Sequence, residues 1–528
     1  MERPDPSESG PTPSGPVVSG HEIGAEAAVD LRDHLPPHVD GDAADGKDLA
    51  TRAAGGFLWM LVGFVVLQLG GFGTFAVAGN FLSRSEVGLV GSLLTVVFWV
   101  DVLLDIGMGA TLIYEQEKGH SRRVHVAFTV NTMAAVIVST AVLVAAPAIA
   151  GFFQAESDVN LFRLIAILVL AKGLNQIPDA LLRRELDFRR RVLADVVRSG
   201  GRFGIATVLL VNGAGPEAMA ISVVAAESVA VLLTWLLVRY KPVLAFDRVV
   251  ASEMLRYGAA VFGSRLVGML WLNGDYLVVG NRLGGRSKAY GDYYTAFRLP
   301  ELVLGSVYNI FSSVSFPMFS AAREESPEKL RLSALKSLRL LCLFGFPAGV
   351  GMSLIARDFI LTVFKDDAAG AIRPMEILCL AGSLVAVGYA SGDLFNAIGK
   401  PRIGLYLNLL GTPVLIGGFL LVVDRGIVAV ATVHLCVMVP YALVRIEVAN
   451  RLVGTSWRSS LAALRPAVCT VVGVAAAGLP IRLLVGTGFL TGVAITAAGL
   501  AGGALTLAIG DRGTFGELTG LARKALGR

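Results

Sequence analysis

The chain has 528 residues, of which 54% are hydrophobic and 16% charged, with a mean hydropathy of +0.66 and a formal net charge of +5. That is more apolar surface than a soluble fold can bury, which excludes an ordinary soluble enzyme and puts the chain in a bilayer. The positive balance is not a nucleic-acid signal either, because no stretch interleaves basic and aromatic residues in a soluble domain.

Residues 1–50 are rich in Pro, Gly, Asp and Glu, with seven Asp and four Glu against Arg3, Arg32 and Lys47. This composition predicts a disordered acidic leader of charge −8 and leaves +13 on the rest of the chain. A basic start running directly into an apolar core is missing, so the leader does not read as a signal peptide.

Beyond the leader, about fourteen segments of ~18 or more predominantly apolar residues follow. They begin near Phe57, Val87, Val126, Leu161, Val192, Ala218, Ala259, Tyr290, Ala334, Met375, Leu405, Ile427, Ala467 and Phe489. Arg198, Arg202, Arg298 and Arg482 interrupt segments five, eight and thirteen, so twelve to fourteen spans are expected, and an even count puts both termini on one side. The predicted fold class is therefore an all-α integral membrane protein. Cys342, Cys379, Cys436 and Cys469 fall in apolar runs without paired spacing and read as packing residues, and no histidine, cysteine and carboxylate cluster suggests a metal or other cofactor.

The connections after even-numbered segments, with the tail, hold 22 Lys and Arg, against 9 in the opposite set. By the positive-inside rule the first set and both termini are cytoplasmic. The most basic connection, from Leu182 to Arg191, alternates leucine and phenylalanine with arginine; it suits either a contact with anionic headgroups or a plain orienting cluster.

The segments repeat. Gly79-Asn80-Phe81-Leu82 is echoed by Gly280-Asn281-Arg282-Leu283, each followed by a short polar turn, a glycine (Gly88 or Gly291) and a new apolar run. An echo at an offset of about two hundred residues suggests two similar bundles facing each other, as in many transporters.

Three stretches carry a family resemblance: Leu104-Asp105-Ile106-Gly107-Met108-Gly109-Ala110-Thr111-Leu112, Ala180-Leu181-Leu182-Arg183-Arg184-Glu185-Leu186-Asp187-Phe188-Arg189, and Asp275-Tyr276-Leu277-Val278-Val279-Gly280, with Ala397-Ile398-Gly399-Lys400-Pro401-Arg402 adding to them. The chain resembles the polysaccharide-transporter branch, the Wzx-like flippases, of the multidrug/oligosaccharidyl-lipid/polysaccharide exporter superfamily. The resemblance implies about 14 transmembrane helices in two pseudo-symmetric six-helix lobes plus two C-terminal helices, in the cytoplasmic (inner) membrane. On this chain the parts would be the leader (1–50), an N-lobe (51–240), a C-lobe (241–453), and helices 13 and 14 with a basic tail (454–528). It also implies alternating access without covalent chemistry, so no enzyme. The implied cargo is an undecaprenyl-diphosphate-linked oligosaccharide for exopolysaccharide, capsule or wall-polymer assembly. Membrane lipids, a polysaccharide polymerase and glycosyltransferases are the implied partners. The alternative is a cation-coupled drug or metabolite exporter on the same fold, which would favour carboxylates and aromatics over arginines.

Ionisable residues inside apolar segments point to the site, because each costs at least ~2.5 kcal/mol to place at the bilayer centre. Arg265, about nine residues into segment seven, falls near the midplane, and Asp275 lies ten residues on, within reach of the same cavity. Arg298 enters segment eight beside Pro300, which removes a backbone donor and predicts a kink of that helix toward the interior. A guanidinium stays ionised and offers a planar fork to phosphate oxygens, so Arg265 and Arg298 are candidate diphosphate anchors. Glu301, three residues after Arg298, equally suits an internal ion pair. Lys172 and Asn175 would extend a polar cavity into the other lobe, or Lys172 snorkels to the interface. Asp101 and Asp105 share one helical face and are the candidates for ion coupling, with a capping role for Asp105 as the plainer reading.

Overall fold

The computed structural model describes residues 63–104, 122–184, 188–238, 240–364 and 366–525. The leader, Asp105, the glycine-rich stretch after it and Glu185 to Asp187 lie outside the described residues.

Every regular element among the described residues is helical. In chain order these are α1 (Gly63–Phe81), α2 (Arg84–Leu104), α3 (Arg122–Phe152), α4 (Val159–Arg184), α5 (Phe188–Val211), α6 (Glu217–Leu237) and α7 (Arg248–Leu283). Then come α8 (Lys288–Glu325), α9 (Pro327–Phe364), α10 (Ile372–Ala397), α11 (Pro401–Val422), α12 (Ile427–Val453), α13 (Trp457–Leu484), α14 (Phe489–Gly510) and α15 (Arg512–Ala525). The first fourteen each overlap one predicted segment. Eleven helices among the described residues are long and apolar enough to cross a membrane. The remaining three are α4, α5 and α7, which are interrupted by charges such as Lys172, Arg198 and Arg265. Segments eight and thirteen, expected to be weak, meet the standard because an apolar run follows Arg298 in α8 and precedes Arg482 in α13.

Local chemistry sets several boundaries. Asp247 caps α7 by accepting from the Val249 and Val250 backbone N–H groups, and Ser287 caps α8 by accepting from Tyr290. Pro300 has no N–H to give, and the chain answers with a π-helical turn over Glu301–Gly305 in the middle of α8. Where a kink toward the interior is expected at Pro300, the structure has a widened turn, which rotates the residues on either side relative to one another.

Helices pack as neighbouring pairs, α3 with α4, α5 with α6, α9 with α10 and α13 with α14, while α10 also packs on α12 and α11 on α7. α13 attaches to α9. Five tyrosines on α7 and α8 (Tyr276, Tyr290, Tyr293, Tyr294 and Tyr308) are almost wholly buried and belong to one core cluster.

α2 and α8 meet at their N-terminal ends, where the glycines that follow the two copies of the sequence echo face each other. A Cβ at Gly88 would lie 2.7 Å from the Ser287 carbonyl oxygen, and one at Gly291 would overlap the Arg84 carbonyl. Only glycine permits so close an approach of two backbones. Around this contact Arg84, 3% exposed, donates to the Gly79 carbonyl at 2.6 Å and lies 3.8 Å from Asp367. Arg286 pairs with Asp158 at 2.6 Å, and Asn281 donates to the Phe152 carbonyl at 2.8 Å.

Candidate functional site

A cavity of about 360 Å³ opens beside the π turn of α8, walled by α1, α7, α8, α10 and α12. Because the turn is widened there, Arg298 and Glu301 both reach the cavity, and Arg298 Nη1 donates to Glu301 Oε2 at 2.9 Å. Their side chains keep 27% and 33% of their exposure, so the pair is not sealed from solvent. Phe98 on α2 lies under the guanidinium, 5.9 Å from its carbon. One guanidinium nitrogen is committed to Glu301, which leaves donors available to an incoming anion.

The rest of the lining is mixed. Gln68 on α1 donates to Ser306 Oγ on α8, bringing the first helix onto the cavity. Asn273, Tyr389 and His434 add polar groups among Trp271, Phe297, Leu378 and Met438. An apolar pocket with a few placed polar groups is the usual form of a small-molecule or headgroup site.

The sequence candidates separate into three places. Arg298 lines the cavity; Asp275 lies behind its wall, 1% exposed, accepting from the Tyr293 hydroxyl at 2.6 Å. Arg265 is exposed on α7 and is not among the residues lining this cavity. Arg265 and Asp275, expected to border one cavity, therefore face different surroundings. Ten residues leave them only about 80° apart around the helix, and the bundle buries the Asp275 side while leaving Arg265 exposed.

Across the molecule, Lys172 on α4 donates to both carboxylate oxygens of Asp101 on α2, at 2.8 and 2.7 Å. Their side chains are 24% and 42% exposed. Lys172 is thus neither an isolated cation nor a snorkelling one, and Asp101 has a cation within reach. Asn175, one turn along α4, is buried at 7% with its Oδ1 lacking a partner. Asp105 is outside the described residues, so the carboxylate pair has only its Asp101 half on view.

Two residues were not singled out for the site from sequence. Arg202 on α5 shares a hollow of about 30 Å³ with Arg298 and Thr74, and its Nε lacks a hydrogen-bond partner. In the sequence it registered only as a break in segment five. His434 on α12 lines the cavity and is 4% exposed. An ionisable side chain in an apolar span is the signal that could have found it.

The family described as "Polysaccharide biosynthesis protein" matches residues 79–370. The chain is similar to the teichuronic acid biosynthesis protein TuaB of Bacillus subtilis (strain 168), with 26% identity over 382 residues, 72% of this chain and 77% of that protein. It is also similar to the lipopolysaccharide biosynthesis protein WzxC of Escherichia coli (strain K12), with 24% identity over 369 residues, 69% and 74% of the two chains. Among solved structures, the lipid II flippase MurJ in an inward closed conformation superposes with a TM-score of 0.69 at 11% identity, covering 86% of this chain and 98% of that one. An inward-facing multidrug resistance transporter of the MATE family superposes with a TM-score of 0.59 at 17% identity, covering 74% and 96%. At these identities the two structures establish a shared fold.

Proposed function

The chain belongs to the polysaccharide biosynthesis protein family, and from that premise we propose that it is a flippase moving a lipid-diphosphate-linked oligosaccharide across the cytoplasmic membrane by alternating access. The multi-pass helical fold and the two relatives, named for teichuronic acid and lipopolysaccharide biosynthesis, support this reading. The observation that carries it is the Arg298–Glu301 pair at the π turn, a cation with donors to spare on a cavity of about 360 Å³. Cavities of roughly 300–1,000 Å³ take drug-sized ligands, so this one has room for a diphosphate and an adjoining sugar.

In this reading Arg298 is the first anchor for the diphosphate. Its fork of donors passes from Glu301 to phosphate oxygens as cargo enters. Arg265, exposed on α7, is a second anchor met by the headgroup on its way, and Lys172 with Asn175 forms a polar station in the other lobe. Two lobes, residues 51–240 and 241–453, rock about the α2 and α8 contact, with residues 454–528 attached to the second. The excess of Lys and Arg in the connections after even-numbered helices sets both termini inside. That orientation makes the Gly88 and Gly291 end the outer face and leaves the site to load from the cytoplasm. A polymerase and glycosyltransferases are the partners that such a cargo requires.

The test is deletion in the native host followed by extraction of lipid-linked saccharides. Loss of the protein should leave a lipid-linked oligosaccharide accumulating in the cytoplasmic leaflet while the exported polymer disappears. An unchanged polymer and no accumulated intermediate would refute the reading.

A further inference from the structure

One buried cluster in the wall of the cavity lies apart from the Arg298–Glu301 pair. Asp275 Oδ2 on α7 accepts from Tyr293 on α8, and His434 Nε2 on α12 lies 3.6 Å from the same oxygen, just beyond hydrogen-bond reach. His434 Nε2 has no hydrogen-bond partner, and neither has Asp275 Oδ1. Native interiors leave few buried polar atoms unmatched, so two in one cluster point to an absent ligand.

The imidazole is held flat. Phe419 stacks on it at 4.9 Å and Phe297 meets it edge-on at 5.5 Å, so its remaining freedom is to slide toward Asp275 or toward the cavity it lines. The charged or titratable groups facing this cluster are Tyr276 on α7, Tyr290, Tyr293 and Tyr294 on α8, and the Arg298–Glu301 pair across the cavity wall. α11 contributes only the apolar Phe419, and on α12 the next cation is Arg445, three turns away and bound to Ser391, Tyr441 and the Gly388 carbonyl.

A transition metal would need further His, Cys or carboxylate ligands, and no group of three exists among the described residues. Hard cations take oxygen donors and gain nothing from an imidazole. A proton needs only the two atoms present, and imidazole is the side chain that exchanges one near neutral pH.

We propose that Asp275 and His434 form a proton-binding site whose occupancy is linked to the anionic cargo in the adjoining cavity. The added proton sits on His434 Nε2, which closes on Asp275 Oδ2 as a charge-assisted hydrogen bond. The cavity wall then carries one more positive charge beside Arg298, so proton and diphosphate tighten each other's binding by the same factor. The linkage rests on the reading of the cavity as a diphosphate site; the proton site rests on the buried geometry alone.

The experiment uses the full chain in lipid nanodiscs with farnesyl diphosphate as the probe, in sodium-free buffer at about pH 6 and pH 8, the range that brackets imidazole titration. The probe's own titration is common to all proteins and cancels when their pH ratios of Kd are compared. The ratio of Kd at pH 8 to Kd at pH 6 should be about tenfold larger for wild type than for His434→Gln or Asp275→Asn, a coupling of about 1.4 kcal/mol. Equal ratios in wild type and in variants that melt normally overturn the proton site while leaving the cargo reading intact. Should both variants fail to fold, wild type alone decides: a pH ratio no larger than the probe's titration requires overturns the site. An affinity that ignores pH but changes when sodium is added to the buffer overturns it too. Wild type that binds no farnesyl diphosphate at either pH refutes the diphosphate cavity and the linkage with it.

Discussion

Gly88 and Gly291 lie against each other reciprocally: each packs on the backbone carbonyl of the residue four positions before the other, Ser287 for Gly88 and Arg84 for Gly291. These are the glycines that follow the two copies of the sequence echo, so the repeats pair through equivalent positions, as in an isologous dimer contact. The contact is backbone on backbone and has no flexible side chain to yield. Gly291→Ala should therefore oppose closure by about 1–3 kcal/mol, the usual cost of overpacking, shifting the open-to-closed ratio roughly five- to a hundredfold. Accessibility of a cysteine at Ser92, which is fully buried beneath this contact, to an impermeant maleimide reads the shift. Unchanged labelling with full export would show that the ends do not need to meet this closely.

Orientation is tested at two exposed positions. Ser157 lies in the turn between α3 and α4, and Glu328 opens α9. In a background lacking the four native cysteines, Ser157→Cys should react with an impermeant reagent in intact cells and Glu328→Cys should not. The opposite pattern would invert the proposed topology.

Much of this architecture was legible in the sequence because apolar length and turn chemistry are local properties. The fourteen segments overlap helices, the glycines that follow the two echo copies are the ones that touch between α2 and α8, and Pro300 stands at the irregular turn. Arg298 with Glu301 was legible for the same reason, since residues three apart on a helix meet. Asp101 with Lys172 and Asp275 with His434 were not, because each joins helices distant in sequence whose facing is decided by packing. The different burial of Arg265 and Asp275 was not legible: a helical separation gives an angle between two side chains but not which face the bundle buries.

The Asp101–Lys172 pair offers a third prediction. With side chains 24% and 42% exposed, the pair should contribute no more than about 1 kcal/mol to stability, near the upper end for accessible pairs. Lys172→Met and Asp101→Asn should each lower the melting temperature slightly, and the exchanged pair Lys172→Asp with Asp101→Lys should recover it. If Asp101→Asn instead leaves melting unchanged and abolishes export, the carboxylate serves ion coupling and not the pair.

Arg265 gives a fourth. Its place on the cargo path is read by export at matched expression: Arg265→Ala should reach the membrane and fold while export falls, even where the loss of its own contacts lowers melting. Arg265→Lys should recover part of the export, because lysine keeps the charge and loses the planar fork. Full export by a well-expressed Arg265→Ala protein removes it from the cargo path.

The most direct test of the proposed function is translocation by purified protein. Wild type and Arg298→Gln, the latter also with Glu301→Gln so that no carboxylate is left unpaired, are reconstituted in liposomes carrying a lipid-diphosphate-linked oligosaccharide in one leaflet. Movement is read by a lectin that reaches only the outer leaflet. Wild type should transfer the saccharide, and both variants should slow transfer by roughly ten- to a hundredfold, the loss of one charge-assisted contact of about 1.5–3 kcal/mol. Wild-type vesicles that transfer no faster than protein-free ones would contradict the account.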